Sequence, residues 1–347
     1  MIKPKKLVSG DTVAAVSTSW GGPSVIPYRY EIGKKQFEET FGLRVVEMNH
    51  TLKPAKWVRE NPKARAEDLM AAFLDPSIKA IISTIGGEES IRILPYLDFE
   101  VIRQNPKIVL GYSDTTITHL ACFKAGIVSF YGPSFMAGFA ENKGIFPYLA
   151  NSIRKTLFES GTIGEIKPNA EGWTVEHLSW QDPANQSKKR KLNPPALWKL
   201  LQGEGIAQGH LLGGCAEVLE FAKGTSLWPT LDQWKGAIFF LETSEEAPSP
   251  MLVERWLRNY GSQGILQSLA GMIVGRPGGN VSERDFDAYD EVITKVVSEE
   301  LGLTTLPIMT RMDFGHTDPI FTIPYGIRAQ INCEAKTFSI LEKAVSE

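Results

Sequence analysis

The sequence predicts an α/β protein in two parts, the first built on a mostly parallel sheet, and three observations carry that expectation. From Thr12 to about Ser134, short apolar runs alternate with longer amphipathic ones, the signature of β-α-β units. The apolar runs are rich in Val and Ile without an in-out alternation, as strands covered by helices on both sides require. Past residue 160 the texture changes, with Gly161, Gly164, Pro168 and Gly172 punctuating the chain ahead of a polar, cationic stretch from Gln181 to Lys191.

Taken in order, strands are expected at 13–17, 44–48, 80–85, 108–112 and 127–131, with helices at 29–41, 64–74, 89–96 and 115–125 between them. The third helix opens just after Gly86-Gly87, where missing side chains let backbone N–H groups approach a ligand. The cationic stretch ends in Asn193-Pro194-Pro195 and reads as a linker or an exposed functional loop. Beyond it, strands are expected at 236–242, 271–275 and 306–312 and helices at 249–259 and 284–300. A β-rich tail over 320–341 turns at Tyr325-Gly326. The expected division is therefore 1–165 as an α/β domain, 166–205 as linker and loop, and 206–347 as a second α/β or α+β domain.

The 347 residues are 43% hydrophobic, enough for a substantial core. With 37 basic against 40 acidic side chains the net charge is −3, which offers no bulk attraction to nucleic acid or to an anionic membrane surface. Cys122, Cys215 and Cys333 are odd in number and far apart, so neither a disulfide framework nor a thiolate zinc site is indicated. No apolar stretch approaches the ~18 residues of a membrane span, and the opening Met-Ile-Lys-Pro-Lys-Lys runs into Ser-Gly-Asp instead of an apolar signal core. The expectation is a cytoplasmic protein without nucleic-acid or membrane partners. Phosphate-loop, dinucleotide-loop and His-Glu-x-x-His patterns are absent, so nucleotide triphosphatase, Rossmann dehydrogenase and zincin readings all lose support. Asp285-x-Asp287-x-x-Asp290 lacks the glycine and terminal glutamate of a calcium loop and reads as a solvated first helical turn.

The strongest local signal for chemistry is Gly111-Tyr112-Ser113-Asp114-Thr115-Thr116, where a strand stops and a helix starts with a hydroxyl on the turn. Such an elbow lifts Oγ above a sheet, and the amides at the helix start can meet a developing oxyanion. The second glycine of the common hydrolase elbow is missing, and Ser, Asp and Thr equally suit a helix cap. A serine needs a base, and five histidines are available. His119 lies on the helix that follows, roughly 9 Å along its axis from Ser113, too far for a hydrogen bond. His50, His177 and His210 read as surface or structural. His316 sits in Asp313-Phe314-Gly315-His316-Thr317-Asp318-Pro319, a loop between apolar strands that suits either a structural or a catalytic histidine. For an orienting acid, Glu242 ends the apolar run Ile238-Phe239-Phe240-Leu241. It serves equally as the lead-in to a helix beginning near Pro250.

Taken together, Ile85-Gly86-Gly87, Gly111-Tyr112-Ser113-Asp114, Leu212-Gly213-Gly214, Phe240-Leu241-Glu242 and Gly315-His316 resemble the LD-carboxypeptidase family of serine peptidases over most of the chain. The resemblance implies Ser113 as nucleophile, Glu242 as orienting acid and His316 as base. It further implies an oxyanion hole from the backbone amides of Gly87 and Asp114 and no cofactor or metal. It also implies a flavodoxin-like N-terminal domain with a parallel sheet, a C-terminal α/β domain with barrel-like β structure, and a homodimer.

Two features point within the family. Members acting on murein usually carry tyrosine after the paired glycines, whereas Gly86-Gly87-Glu88-Glu89-Ser90 is closer to the acidic variant of the microcin C immunity branch. Glu88 or Glu89 can meet the α-amino group of an aminoacyl substrate, or simply complement a helix dipole. The segment from Trp173 through Trp180 to Trp198, enclosing Lys188-Lys189-Arg190-Lys191, resembles the loop by which immunity-type members cover a nucleotide-containing substrate. Trp180 then stacks on adenine, or packs on its own domain in a solvated loop. The expected activity is hydrolysis of the amide between an aminoacyl group and a modified nucleotide, the alternatives being a murein tetrapeptide substrate or a non-catalytic binding role.

Overall fold

The computed structural model describes residues 1–347. The first half supplies β1 (Thr12–Val16), β2 (Arg44–Glu47), β3 (Ile78–Ser83), β4 (Ile108–Gly111) and β5 (Phe130–Tyr131). The connecting stretch supplies β6 (Gly164–Ile166) and β7 (Lys199–Gln202). The second half contains β8 (Ile206–Cys215), β9 (Ile238–Glu242), β10 (Gly271–Gly275), β11 (Ile308–Met312), β12 (Ile323–Pro324), β13 (Arg328–Asn332) and β14 (Thr337–Ile340).

The first sheet has the order β12-β5-β4-β3-β1-β2, parallel throughout except at β12. Its central strands β1 and β4 are buried at every position, which is why the sequence there is apolar on both faces. The second sheet has the order β6-β14-β13-β8-β9-β10-β11-β7, with β8 to β11 parallel and antiparallel strands on both flanks. One contiguous core of 84 residues runs through both halves, so neither packs as an independent unit. The chain is a mixed α/β protein with a parallel N-terminal sheet, as expected.

Four local differences have physical causes. The expected strand at 127–131 shrinks to its last two residues, because Val128 N–H donates to the carbonyl of Ile2 instead of to a sheet neighbour. The expected helix at 89–96 is a 3₁₀ helix, Ser90–Tyr96, with Pro95 inside it unable to donate the bond an α-helix requires. The tail is divided: β13 and β14 join the second sheet, whereas β12 crosses over and completes the first. Asp290 is buried and paired with Arg311 and with Lys199 at 2.9 Å, so the acidic run is only partly a solvated turn.

Candidate active site

Ser113 follows directly on β4. Tyr112 is still extended and Ser113 has φ 60°, a left-handed conformation that costs a residue with a Cβ roughly 1–2 kcal/mol. The turn is held because Ser113 N–H donates to the Tyr131 hydroxyl at 3.1 Å, and helix Thr116–Ala125 starts at once. Gly86 lies so close that a Cβ there would come within 2.9 Å of Ser113 Oγ, so only glycine lets the 86–87 backbone lie against the hydroxyl. The amide of Gly87 has no acceptor within the protein. The loop is clamped from below. The Asp114 carboxylate accepts from Ser19 Oγ at 2.5 Å and Ser90 N–H at 2.8 Å, and buried Arg65 donates to the carbonyls of Thr18 and Glu89 at 2.6 and 3.1 Å. Burial pushes the Asp114 carboxyl upward, against the pull of these donors.

Glu242 ends β9, fully buried, with no room for solvent around it. His316 Nδ1 donates to Glu242 Oε2 at 2.7 Å, and the Tyr131 hydroxyl donates to Oε1. The close approach depends on Gly315, at φ 93°, where a Cβ would fall 2.6 Å from Glu242 Oε2. Burial pulls the His316 imidazole down, yet the carboxylates of Glu242, Glu245 and Glu217 outweigh it and raise the group to about 9. The Tyr112 ring packs on the imidazole with centroids 4.9 Å apart. His316 Nε2 lies 3.2 Å from Glu245 Oε2, and no hydrogen bond joins it to Ser113 Oγ.

Cys215, beside Glu242 in the sheet, is the other nucleophile within reach. Its Sγ, a Glu242 oxygen and a His316 nitrogen lie within 4.8 Å of one another, close enough to invite a cation. Burial and the neighbouring carboxylates keep the thiol well above its usual range, while Glu242 and His316 are already committed to each other. Cys215 Sγ instead donates to Glu217 at 3.4 Å, so the Glu242–His316 pair suits proton transfer better than metal binding.

Ser113, His316, Gly87 and Glu245 line one cavity of about 530 Å³, whose far wall is Trp180 and Arg29. The Arg29 guanidinium lies 4.6 Å over the Trp180 ring and is fixed by the Met136 carbonyl, Asn142 and Gln186, leaving the indole stacked on a rigid cation. Of the basic run, Arg190 alone lines the cavity, and it is already paired with Glu141 and with Asp318 at 2.8 Å. Glu88 and Glu89 lie outside it. They border a neighbouring cavity of about 580 Å³, and Glu89 pairs with Arg92 at 2.6 Å.

Both halves of the chain match known domain families: LD-carboxypeptidase N-terminal domain over residues 13–132 and LD-carboxypeptidase C-terminal domain over 208–331. The chain belongs to the LD-carboxypeptidase family. The protein is accordingly a hydrolase of a serine peptidase family. It is 28% identical to the microcin C7 self-immunity protein MccF of Escherichia coli over 98% of this chain and 96% of that protein. An MccF-like protein from Streptococcus pneumoniae, solved with AMP, superposes with a TM-score of 0.86 at 31% identity, covering 96% of this chain and 99% of the other. MccF solved with glutamyl sulfamoyl guanosine gives 0.84 at 26% identity over the whole of both chains. No helix of the LD-carboxypeptidase is long and apolar enough to cross a membrane.

Sequence reasoning passed over three groups that the fold places at or beneath the cleft. Tyr131 links the nucleophile's turn to Glu242 but reads in the sequence as one more core aromatic. His177, taken as surface or structural, lines the cavity beside Trp180 at 5.9 Å between ring centroids. Arg29 sits inside helix Pro27–Phe41, where nothing local marks it as buried. His119 bonds Ser129 Oγ and the Gly111 carbonyl, each at 2.9 Å, which commits both its nitrogens, and burial pushes it down to about 4.

Proposed function

We propose that this member of the LD-carboxypeptidase family is a serine amidohydrolase that cleaves the amide between an aminoacyl group and a modified nucleotide. The observation that carries the proposal is the His316–Glu242 hydrogen bond of 2.7 Å, which opens into the same cavity as a serine on a strained turn. A buried carboxylate that fixes the imidazole's Nδ1–H leaves Nε2 as the nitrogen that exchanges protons. In the reaction Ser113 Oγ attacks the scissile carbonyl as His316 takes its proton. The amides of Gly87 and Asp114 hold the oxyanion, and His316 returns the proton to the departing nitrogen. Water then repeats the sequence on the acyl-enzyme and restores Ser113. No metal or cofactor enters these steps.

Trp180 supports the nucleotide part of the reading. Its indole forms the cavity wall with Arg29 packed on one side, which suits the other side to a base. The solved relatives carrying AMP and glutamyl sulfamoyl guanosine point the same way. Glu88, Glu89, Glu245 and Glu246 border the neighbouring cavity beside Gly87 together with Lys56 and Arg59, and this excess of carboxylates over cations suits an aminoacyl group with a free amine better than a terminal carboxylate. The decisive experiment incubates the protein with a panel of aminoacyl sulfamoyl adenosines and with murein tetrapeptide, and weighs the products. Cleavage of the nucleotides and not the tetrapeptide is expected, and the reverse pattern would transfer the activity to murein. Ser113→Ala should lower turnover by ~10⁶, and undiminished hydrolysis would remove Ser113 as the nucleophile.

A further inference from the structure

The catalytic base proposed above has a second carboxylate beside its working nitrogen. His316 Nε2 faces Glu245 Oε2 at 3.2 Å, while Nδ1 donates to Glu242 at 2.7 Å. One carboxylate hydrogen-bonded to Nδ1 and a second at ion-pair distance from Nε2 favour the doubly protonated ring, and an imidazolium has no lone pair for the Ser113 proton. The two carboxylates are not equivalent. Glu242 is fully buried and accepts from both His316 and Tyr131, whereas the Glu245 side chain is 76% exposed, meets His316 at ion-pair distance without a hydrogen bond, and has no second ion-pair partner. Glu245 is therefore the one that can leave. The other groups that touch or raise the imidazole are Glu217, Tyr112 and Cys215, none of them a cation; Lys56 and Arg59 border the neighbouring cavity with Glu245, and Arg29 and Arg190 line the shared one, but none of the four forms an ion pair with it.

A substrate can draw Glu245 away. The α-ammonium of an aminoacyl group is two bonds from the carbonyl that Ser113 attacks, within reach of a carboxylate standing beside the base. We propose that Glu245 is a specificity-determining residue that masks His316 in the free enzyme and is drawn off it by the free α-ammonium group of an aminoacyl substrate. This inference rests on the aminoacyl-nucleotide reading. It adds that the amine, besides being tolerated, switches the base on, and that an N-acylated substrate leaves the base masked. The field around His316 agrees with the geometry, since Glu242, Glu245 and Glu217 together hold the imidazole up to about 9.

The test compares alanyl sulfamoyl adenosine with its N-acetyl counterpart, using wild type and Glu245→Gln at pH 7. Wild type should favour the free amine by about tenfold in kcat/KM, the change in neutral imidazole produced by one pKa unit. In Glu245→Gln the preference should shrink to about threefold or less, mainly through faster hydrolysis of the N-acetyl compound. Equal rates with wild type, or a preference that survives in the variant, would overturn the proposal. A second measurement needs no substrate: NMR titration of the His316 ring nitrogens should show the apparent pKa falling by about half a unit to one unit in Glu245→Gln. An unchanged titration would overturn the masking contact. If wild type cleaves neither nucleotide, the aminoacyl-nucleotide reading fails and takes the amine selection with it, while the titration still decides whether Glu245 masks His316.

Discussion

Replacing Tyr131 with phenylalanine tests whether one hydroxyl coordinates the two halves of the site. That hydroxyl accepts the Ser113 N–H at 3.1 Å and donates to Glu242 Oε1, in surroundings where the ring is 1% exposed. Phenylalanine keeps the ring's volume, so no cavity term enters, and the loss is confined to two hydrogen bonds. A bond to a buried charge contributes about 1.5–3 kcal/mol, and a buried N–H left without an acceptor costs about 1–3 kcal/mol. Partial relaxation of the turn reduces their sum, giving an expected loss of about 3 kcal/mol. Urea unfolding followed by tryptophan emission would read it as a lower midpoint at unchanged slope. Turnover of an aminoacyl sulfamoyl adenosine should fall by about 10–100-fold, because Ser113 and Glu242 lose the tie that fixes their separation. A midpoint within 0.5 kcal/mol of wild type (about the effect of a neutral surface change), together with turnover within about twofold, would show that Tyr131 is only core.

Gly315→Ala would place a Cβ 2.6 Å from Glu242 Oε2 at φ 93°, so steady-state kinetics should show at least about a hundredfold loss in kcat. Calorimetry should show about 1–3 kcal/mol of destabilisation. Trp180→Leu should raise KM for the nucleotide substrates about tenfold with kcat nearly kept and leave any tetrapeptide hydrolysis unchanged. His119 is buried and held neutral at about 4, below the unfolded value near 6.5, so its contribution is complete above pH 6.5 and is lost as the pH falls toward 4. The loss is about 3 kcal/mol, and His119→Gln should flatten the acid limb of a melting-temperature profile. A limb of unchanged steepness would contradict the assignment.

The legible parts of this protein are those whose signal is local. Ser113 stands where an apolar strand yields to a helix, Glu242 ends a fully apolar strand, and His316 follows a glycine in a short loop; each pattern is contained within a few residues. Their convergence is not local. Glu242 meets His316 across 74 positions and Tyr131 across 111, separations at which residue spacing carries no geometric information. The aromatic at 131 acquires its role only because β5 pairs with β4 and its hydroxyl then reaches the end of β9. Arg29 reads as a solvent-facing helix cation, and its burial depends on Met136, Asn142 and Gln186, all supplied from elsewhere. The position of Glu245 depends on where a flexible, exposed side chain settles among charges brought in by three other segments, and Glu88 and Glu89 lie beyond the cleft for the same kind of reason. The sheet exchange by β12 had no signal at all, since a two-residue strand containing Pro324 has no periodicity to read.

That exchange has a consequence during synthesis. Until residue 324 leaves the ribosome, the parallel sheet around Ser113 ends at β5 with an unpaired edge, the kind of surface on which nascent or truncated chains stick together. The strand that covers this edge comes seven residues after His316, so the half-made polypeptide gains its imidazole and its protection against aggregation almost together. A chain cut short before His316 therefore lacks both the imidazole and the strand that closes this edge.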